Sequence, residues 1–392
     1  MRWKLSVRSF PLRVLCSGSL AVLALATAGL ASGGVVSSVA VSPPFFNPTL
    51  GQRQAIRFHA ARSGTVVVEI LDRDRTAVRT LEPLRVASGE VTATWDGKDQ
   101  GGEVVPDEAY NLRLTFKDGT RSEIYSPSED FRPLQQDAKI NFYSREDGVL
   151  SYALPWPARV HAQAGQAYKD PKTGESRGPI LKTLVDDGPR VAGSVIEKWN
   201  GMDEGRTIYV PDLHDFAVAV LATSLPPSSM ITIGNRQQTF FAYARKHRPA
   251  EALKPRTHAA ATVPHHLDLN ALEDQTPAVE LKPAATWDSG KREWKARTPL
   301  RVEISMVGDG ARYFLSRPTR LVVFVDEQEV RQIEKPAGTM AVSVELESAN
   351  LPPGVHRVAV NWSSGRGPVA MNAMTVSVDS GDRRDNVQRR KA

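Results

Sequence analysis

Apolar and polar positions alternate along most of the chain. Ile56 and Phe58 flank Arg57, and Val66, Val68 and Ile70 are interleaved with Val67 and Glu69. Leu112, Leu114 and Phe116 alternate with Arg113, Thr115 and Lys117. A period of two sends successive side chains to opposite faces of a strand and buries one face. Asp96-Gly97, Gly101-Gly102, Asp118-Gly119 and Asn200-Gly201 are turn dipeptides between such runs. Strands at short, even spacing with few helical windows predict an all-β chain of β-sandwich domains.

The pattern repeats. Arg79-Thr80-Leu81, Trp95-Asp96-Gly97, Val105-Pro106-Asp107 and Tyr110 return as Lys182-Thr183-Leu184, Trp199-Asn200-Gly201, Val210-Pro211-Asp212 and Phe216. Leu-to-Trp spacing is 14 and 15, Trp-to-Pro 11 and 12, and Pro-to-aromatic 4 and 5. One-residue slips of this kind belong in turns. Upstream, Ile56-Arg57-Phe58 and Val66 to Ile70 align with Leu150-Ser151-Tyr152 and Arg159 to Ala162. The second copy carries an insert, Gly165 to Pro179, read as a long exposed loop. One large aromatic at a repeated sandwich position is a core anchor. Trp95, Trp199, Tyr110 and Phe216 are therefore expected in the cores.

The run from Phe46-Asn47-Pro48 through Trp95-Asp96-Gly97 and Val105-Pro106-Asp107 to Phe116 resembles the Ig-like domain of the bacterial flagellar hook-capping (hook-assembly) protein. That module is found in many exported bacterial proteins. It recurs less faithfully from Ile140 to about Ala222. The resemblance implies tandem Ig-like β-sandwiches and a place in an envelope or surface assembly, and names no partner. Where the family often has glycine two residues before the aromatic, this chain has Glu108 and His214. The family protein's own N-terminal assembly region has no counterpart, so the chain is not expected to be the hook cap.

The expected organisation is a signal peptide at 1–31, Ig-like sandwiches at 45–128 and 138–235, and a linker at 244–262 rich in Arg, Lys, His, Pro and Ala. A third Ig-like sandwich is expected at 263–379, with five strand patterns from Leu300 to Val378 and an unassigned start at 263–295. A disordered basic tail follows at 380–392.

The signal reading rests on Arg2, Lys4, Arg8 and Arg13 ahead of an apolar run, Val14 to Ala31, closed by small residues. Cleavage is expected near Ala28 or Ala31, with Ala40 as another site; an uncleaved membrane anchor is the alternative. Cys16, the one cysteine, lies in that segment and lacks a lipobox before it. The mature chain is therefore expected to be exported, periplasmic or at the cell surface, and to hold its fold without disulfides.

The formal charge is +6, but setting aside residues 1–31 and 382–392 leaves a body at −1. Such a body offers no general attraction for phosphate backbones, and nucleic acid is excluded as a partner. Membrane contact is expected only through an uncleaved N-terminal segment or weakly through the tail.

No G-x-S-x-G, phosphate-binding loop or H-E-x-x-H is present, and no catalytic residue or cofactor is assigned. Asp96, Asp99 and Glu103 lack the alternation of a calcium loop, and Asn200, Asp203 and Glu204 change both spacing and charge. His258, His265 and His266 lack a zinc-site spacing, and His59, His161 and His214 are isolated. No metal is assigned. Trp156, between prolines, and Trp287 and Trp294, flanking a hairpin turn, are the candidate contact residues, with packing against the neighbouring domain as the other reading. The reading is a non-catalytic scaffold or protein-binding module. Carbohydrate binding in surface-polysaccharide handling is the alternative, with an enzyme bearing an unrecognised site behind it.

Overall fold

The computed structural model describes residues 34–248, 277–363 and 369–379, apart from positions 120, 170, 172–175, 309–310 and 317. The expected signal segment, the tail, most of the linker, Cys16, His258, His265 and His266 lie outside the described residues. The regular structure among the described residues is almost entirely strand, in three β-sandwiches.

In the first sandwich, Val36–Ser42, Gln54–Ala60 and Gly89–Trp95 form one antiparallel sheet. The facing sheet is built on Gly64–Leu71 and Ala109–Asp118, with Ala77–Thr80, Leu84–Val86 and Arg121–Tyr125 paired beside them. The alternating residues Ile56, Phe58, Val66, Val68, Ile70, Leu112, Leu114 and Phe116 meet in one core. The second sandwich repeats the plan. Lys139–Ser144, Val149–Leu154 and Gly193–Lys198 face Gln135–Asp137, Phe216–Ser224, Ala158–Gln166 and Ile180–Arg190.

The domain boundaries differ from the sequence expectation. Val36–Ser42, ahead of the expected start of the first module, is one of its strands, and Gln135–Asp137, ahead of the expected start of the second, is one of its strands. Residues after the second sandwich return to the first. Met230–Thr232 inserts between Phe45–Phe46 and Ala109–Asp118, pairing with both. Thr239 then caps the helix Phe240–His247 through its hydroxyl, which accepts the Ala242 N–H at 3.1 Å. That helix buries Tyr243 in the first core. So residues 230–235, expected in the second module, and 244–247, expected in the linker, belong to the first sandwich. The physical cause is burial: Met230 and Tyr243 reach apolar surface there, and Thr232 satisfies the Glu108 and Pro106 backbone. The expected loop also starts later, because Gly165 and Gln166 are still strand.

In the third sandwich, Ala278–Pro283, Leu300–Val307 and Ala341–Leu346 face a six-stranded sheet. That sheet runs Thr286–Asp288, Glu293–Ala296, Val369–Val378, Gly354–Ser363, Thr319–Val325 and Gln328–Lys335. Residues 278–296, unassigned from sequence, supply three of the strands of this sandwich. Trp362 fills the core, and its indole N–H donates to Thr319 Oγ1 at 2.8 Å.

The sandwiches are joined by buried contacts. On the outer face of the six-stranded sheet, Phe324, Ala359 and Ala373 form one cross-strand row packed into the second core. Beside it, the Asn361 carboxamide accepts the Ile180 N–H at 2.8 Å and donates to the Ile180 carbonyl at 2.7 Å. Ile180 begins an edge strand, so Asn361 completes one residue of a ladder that has no neighbouring strand there.

Candidate interaction surfaces

Each of the first two sandwiches carries a tryptophan loop of the same design. The Trp95 indole N–H donates to Lys98 O, and that of Trp199 to Met202 O, both at 2.9 Å. Asp96 Oδ1 accepts the Lys98 N–H, and Asn200 Oδ1 the Met202 N–H, both at 3.1 Å. Gly97 and Gly201 take φ of +73° and +78°, where a side chain would be strained and would also meet Pro48 or Tyr209. Asp99 and Asp203 then close the loop by accepting the N–H of Glu103 (2.9 Å) and Thr207 (2.7 Å). The extra residue of the second copy lies within this closure, between Asp203 and Val210.

The ring clusters differ in exposure. In the first sandwich Trp95 stands edge-on to Phe46 and Tyr110 at 5.5 and 5.2 Å, and all three are fully buried. In the second, Trp199 is 5% exposed and packs with Tyr143 and Phe216 at 5.3 and 6.2 Å, but Tyr143 and Phe216 are only half-buried. Met230 and Tyr243 seal the first cluster, and no equivalent segment covers the second among the described residues.

The contact candidates separate. Trp156 is half-buried against the second core, with a buried indole nitrogen that has no hydrogen-bond partner. Trp287 and Trp294 are paired across the hairpin Thr286–Asp288/Glu293–Ala296, their rings 5.1 Å apart. Trp294 packs against the third core, whereas Trp287 is 43% exposed at the sheet edge. Trp156 packs against the second core, and this pair belongs to the third sandwich.

The first junction is charged. Glu108 is fully buried and pairs with Arg73 and with Arg159 of the second sandwich, the latter at 2.6 Å. Its Oε1 also accepts the Ala109 N–H at 2.6 Å. Burial pushes the Glu108 carboxyl up, but the two guanidinium groups and the amide outweigh it and hold the group below the usual carboxylate range. Arg248, at the end of the returning helix, pairs with Asp72 and Asp74, and Phe240 lies under both Arg73 (4.4 Å) and Arg248 (5.4 Å).

Residues 48–120 match the model of the FlgD Ig-like domain family. The first sandwich is thus an Ig-like module resembling the domain of the hook-capping protein. The basal-body rod modification protein FlgD of Salmonella typhimurium and that of Salmonella typhi are each 39% identical over 62 residues, covering 16% of this chain. The chain spans about a quarter (27%) of the length of these curated relatives. Among solved structures, a tetra-tandem repeat from the extending region of a large adhesion protein covers 87% of this chain and 74% of its own, at 11% identity and a TM-score of 0.19. The BSP domain of a biofilm-associated protein covers 89% and 67%, at 10% identity and a TM-score of 0.18. No described helix is long and apolar enough to cross a membrane.

Two features of the junctions between the sandwiches are hard to see in sequence. Glu108 shows there only as a departure from the family's glycine, yet its carboxylate joins the two sandwiches through Arg159, beside the Arg73–Asp187 pair. Asn361 shows only as one polar residue inside the apolar run Val358 to Trp362. Two groups among the described residues gather three potential metal ligands: Asp99, Glu103 and His247, and His214, Asp215 and Glu327. In the first, Asp99 accepts the Tyr243 hydroxyl at 2.9 Å and Glu103 pairs with Lys246 at 2.6 Å. Lys246 holds the Glu103 carboxyl below its ordinary range. In the second, Gln166 donates to Glu327 at 2.9 Å. These carboxylates are engaged in joining elements of the fold.

Proposed function

We propose that this chain is a non-catalytic, exported bacterial scaffold that presents Ig-like surfaces and sheet edges to a protein partner in an envelope or cell-surface assembly. The observation that carries this reading is the way the sandwiches are joined. A returning strand, a buried ion cluster and a carboxamide clamp fix neighbouring domains, where independent modules would be strung on open linkers. A fixed spacing between surfaces is what a scaffold supplies. The buried carboxylates Glu108, Asp99 and Asp203 are spent on arginines, tyrosine or backbone amides, which supports a structural role. The FlgD-like module supports the exported setting.

Fractionation with intact-mass measurement, followed by residue-specific cross-linking in living cells, tests it. The expected mature chain begins near Ser32 outside the cytoplasm and cross-links to a defined envelope protein. A cytoplasmic chain, or one that forms no cross-link, overturns the proposal.

The second reading, glycan binding, draws on the exposed Trp287 ring tilted against Trp294. Binding on a glycan array that is lost in Trp287→Ala, with the fold intact, would favour it over the scaffold.

A further inference from the structure

We propose that the outer edge of the strand Phe216–Ser224 is a docking site for an extended segment of a partner protein, which adds a strand there. The proposal rests on the scaffold reading and names the surface through which it acts.

The template is the molecule's own first sandwich. There, the strand Ala109–Asp118 receives Met230–Thr232 along its outer edge, with Met230 opposite Tyr110 and Ile231 opposite Ala109. Met230 enters the cluster of Phe46, Trp95 and Tyr110. Thr232 donates its N–H to Glu108 O at 2.9 Å, and its hydroxyl donates to Pro106 O at 2.8 Å. Asn235 follows, its N–H donated to Asp107 Oδ1 at 2.7 Å.

The repeat places Phe216 where Tyr110 stands, and Pro211-Asp212 where Pro106-Asp107 stand. On one side, Phe216–Ser224 pairs with Ala158–Gln166 along its whole length. On the other it pairs with Gln135–Asp137, and only at Leu221 to Thr223. Val220 O accepts the Ala138 N–H at 2.8 Å on that outer side. Strand alternation therefore turns the N–H and C=O of Phe216 and Val218 outward as well. Among the described residues no strand pairs with them. The rings that Met230 would seal, Tyr143 and Phe216, are half-buried around Trp199. Arg145 stands in for the polar part of the missing segment: it donates to Pro211 O and, at 3.1 Å, to Asp212 Oδ1. Its side chain is exposed and can be displaced by a hydroxyl.

The occupant is accordingly an extended peptide stretch with a methionine or aliphatic side chain over the rings and a serine or threonine two residues later. Main-chain bonds supply its affinity and the ring pocket its selectivity, as in other strand additions.

The test uses the full mature chain and a synthetic peptide with the sequence of residues 228–235, the segment that fills the sister site. Hydrogen exchange is read by residue. In the free protein the Phe216 and Val218 amides should exchange fast, and saturating peptide should slow them by roughly tenfold or more. The same peptide carrying Met230→Asp should leave them unchanged. Val218→Pro in the protein removes the outward N–H and leaves the inward-facing amides of Ala217 and Ala219 to the ladder with Ala158–Gln166, but Val218 also packs in the second core. Once circular dichroism shows an unchanged fold, it should abolish the protection, and Phe216→Ala, checked in the same way, should weaken it. Slow exchange already present in the free protein would mean that residues 249–276 of the same chain fill the edge, and would overturn the proposal. Protection that grows with protein concentration would mean that a second copy fills it, and would overturn the proposal equally. Absence of peptide protection also overturns it, while cross-linking in cells reports on the scaffold reading separately.

Discussion

Replacing Met230 with alanine should destabilise the first sandwich, although the residue lies beyond the second in sequence. Met230 is fully buried against Phe46, Trp95 and Tyr110. Removing a buried methionine side chain down to alanine costs about 2–5 kcal/mol, by lost transfer energy plus the cavity left behind. The lower half of that range, about 2–3 kcal/mol, applies here. The strand Met230–Thr232 is short, and Phe46 and Tyr243 can settle toward the gap. Divided by RT, about 2–3 kcal/mol is roughly a 30- to 150-fold rise in the open population of the first sandwich. Native-state hydrogen exchange in mild denaturant should show this as faster exchange of the amides in Ala109–Asp118 and Gly64–Leu71. The amides of Ala158–Gln166 should change far less. Loss of protection confined to the second sandwich would refute the discontinuous first domain.

Trp95→Ala should cost about 3–5 kcal/mol, and Trp199→Ala less, because its ring neighbours are half-buried; equilibrium unfolding of the two variants decides the order. Asn361→Ala leaves the Ile180 N–H and C=O without their partner at the second junction. Both bonds are part-buried, so the cost per group lies at the lower end of about 1–3 kcal/mol, and the second and third sandwiches should separate into distinct calorimetric transitions. The Glu108 carboxyl is held below its ordinary value, so its stabilisation is complete above the unfolded-state value of about 4.3. It is lost as pH falls through the folded value. Acid unfolding monitored by circular dichroism should steepen below about pH 4, and E108Q should flatten that limb.

The tryptophan loops are legible in sequence because their chemistry is local. Trp, Asp or Asn, Gly and a following Asp sit within a short window, and each bond closes inside it. The alternating strands of all three sandwiches are legible for the same reason. The return of residues 230–247 is not. A three-residue strand has no period to read, and its partner Tyr110 lies far back in the chain. Trp156 between prolines signals an edge, but proline says nothing of what packs against the ring, and the second core half-covers it. The row Phe324, Ala359 and Ala373 looks in sequence like an ordinary strand face. The docking of the second sandwich accounts for apolar residues, a phenylalanine beside two alanines, on the outside of the third.

The returning strand also decides how the molecule would carry tension. Residues 126–229 leave the first sandwich and rejoin it, so a pull applied at the N-terminal strand and at the helix Phe240–His247 is borne by the first sandwich alone. The second hangs outside the load path, like a loop of rope behind a knot. Only when Met230–Thr232 is torn from the strand Ala109–Asp118 does force reach it. About 100 residues then become available, on the order of 350 Å of extended chain. The first sandwich is in this sense a clasp, and the second a reserve of length that is released after the clasp gives way.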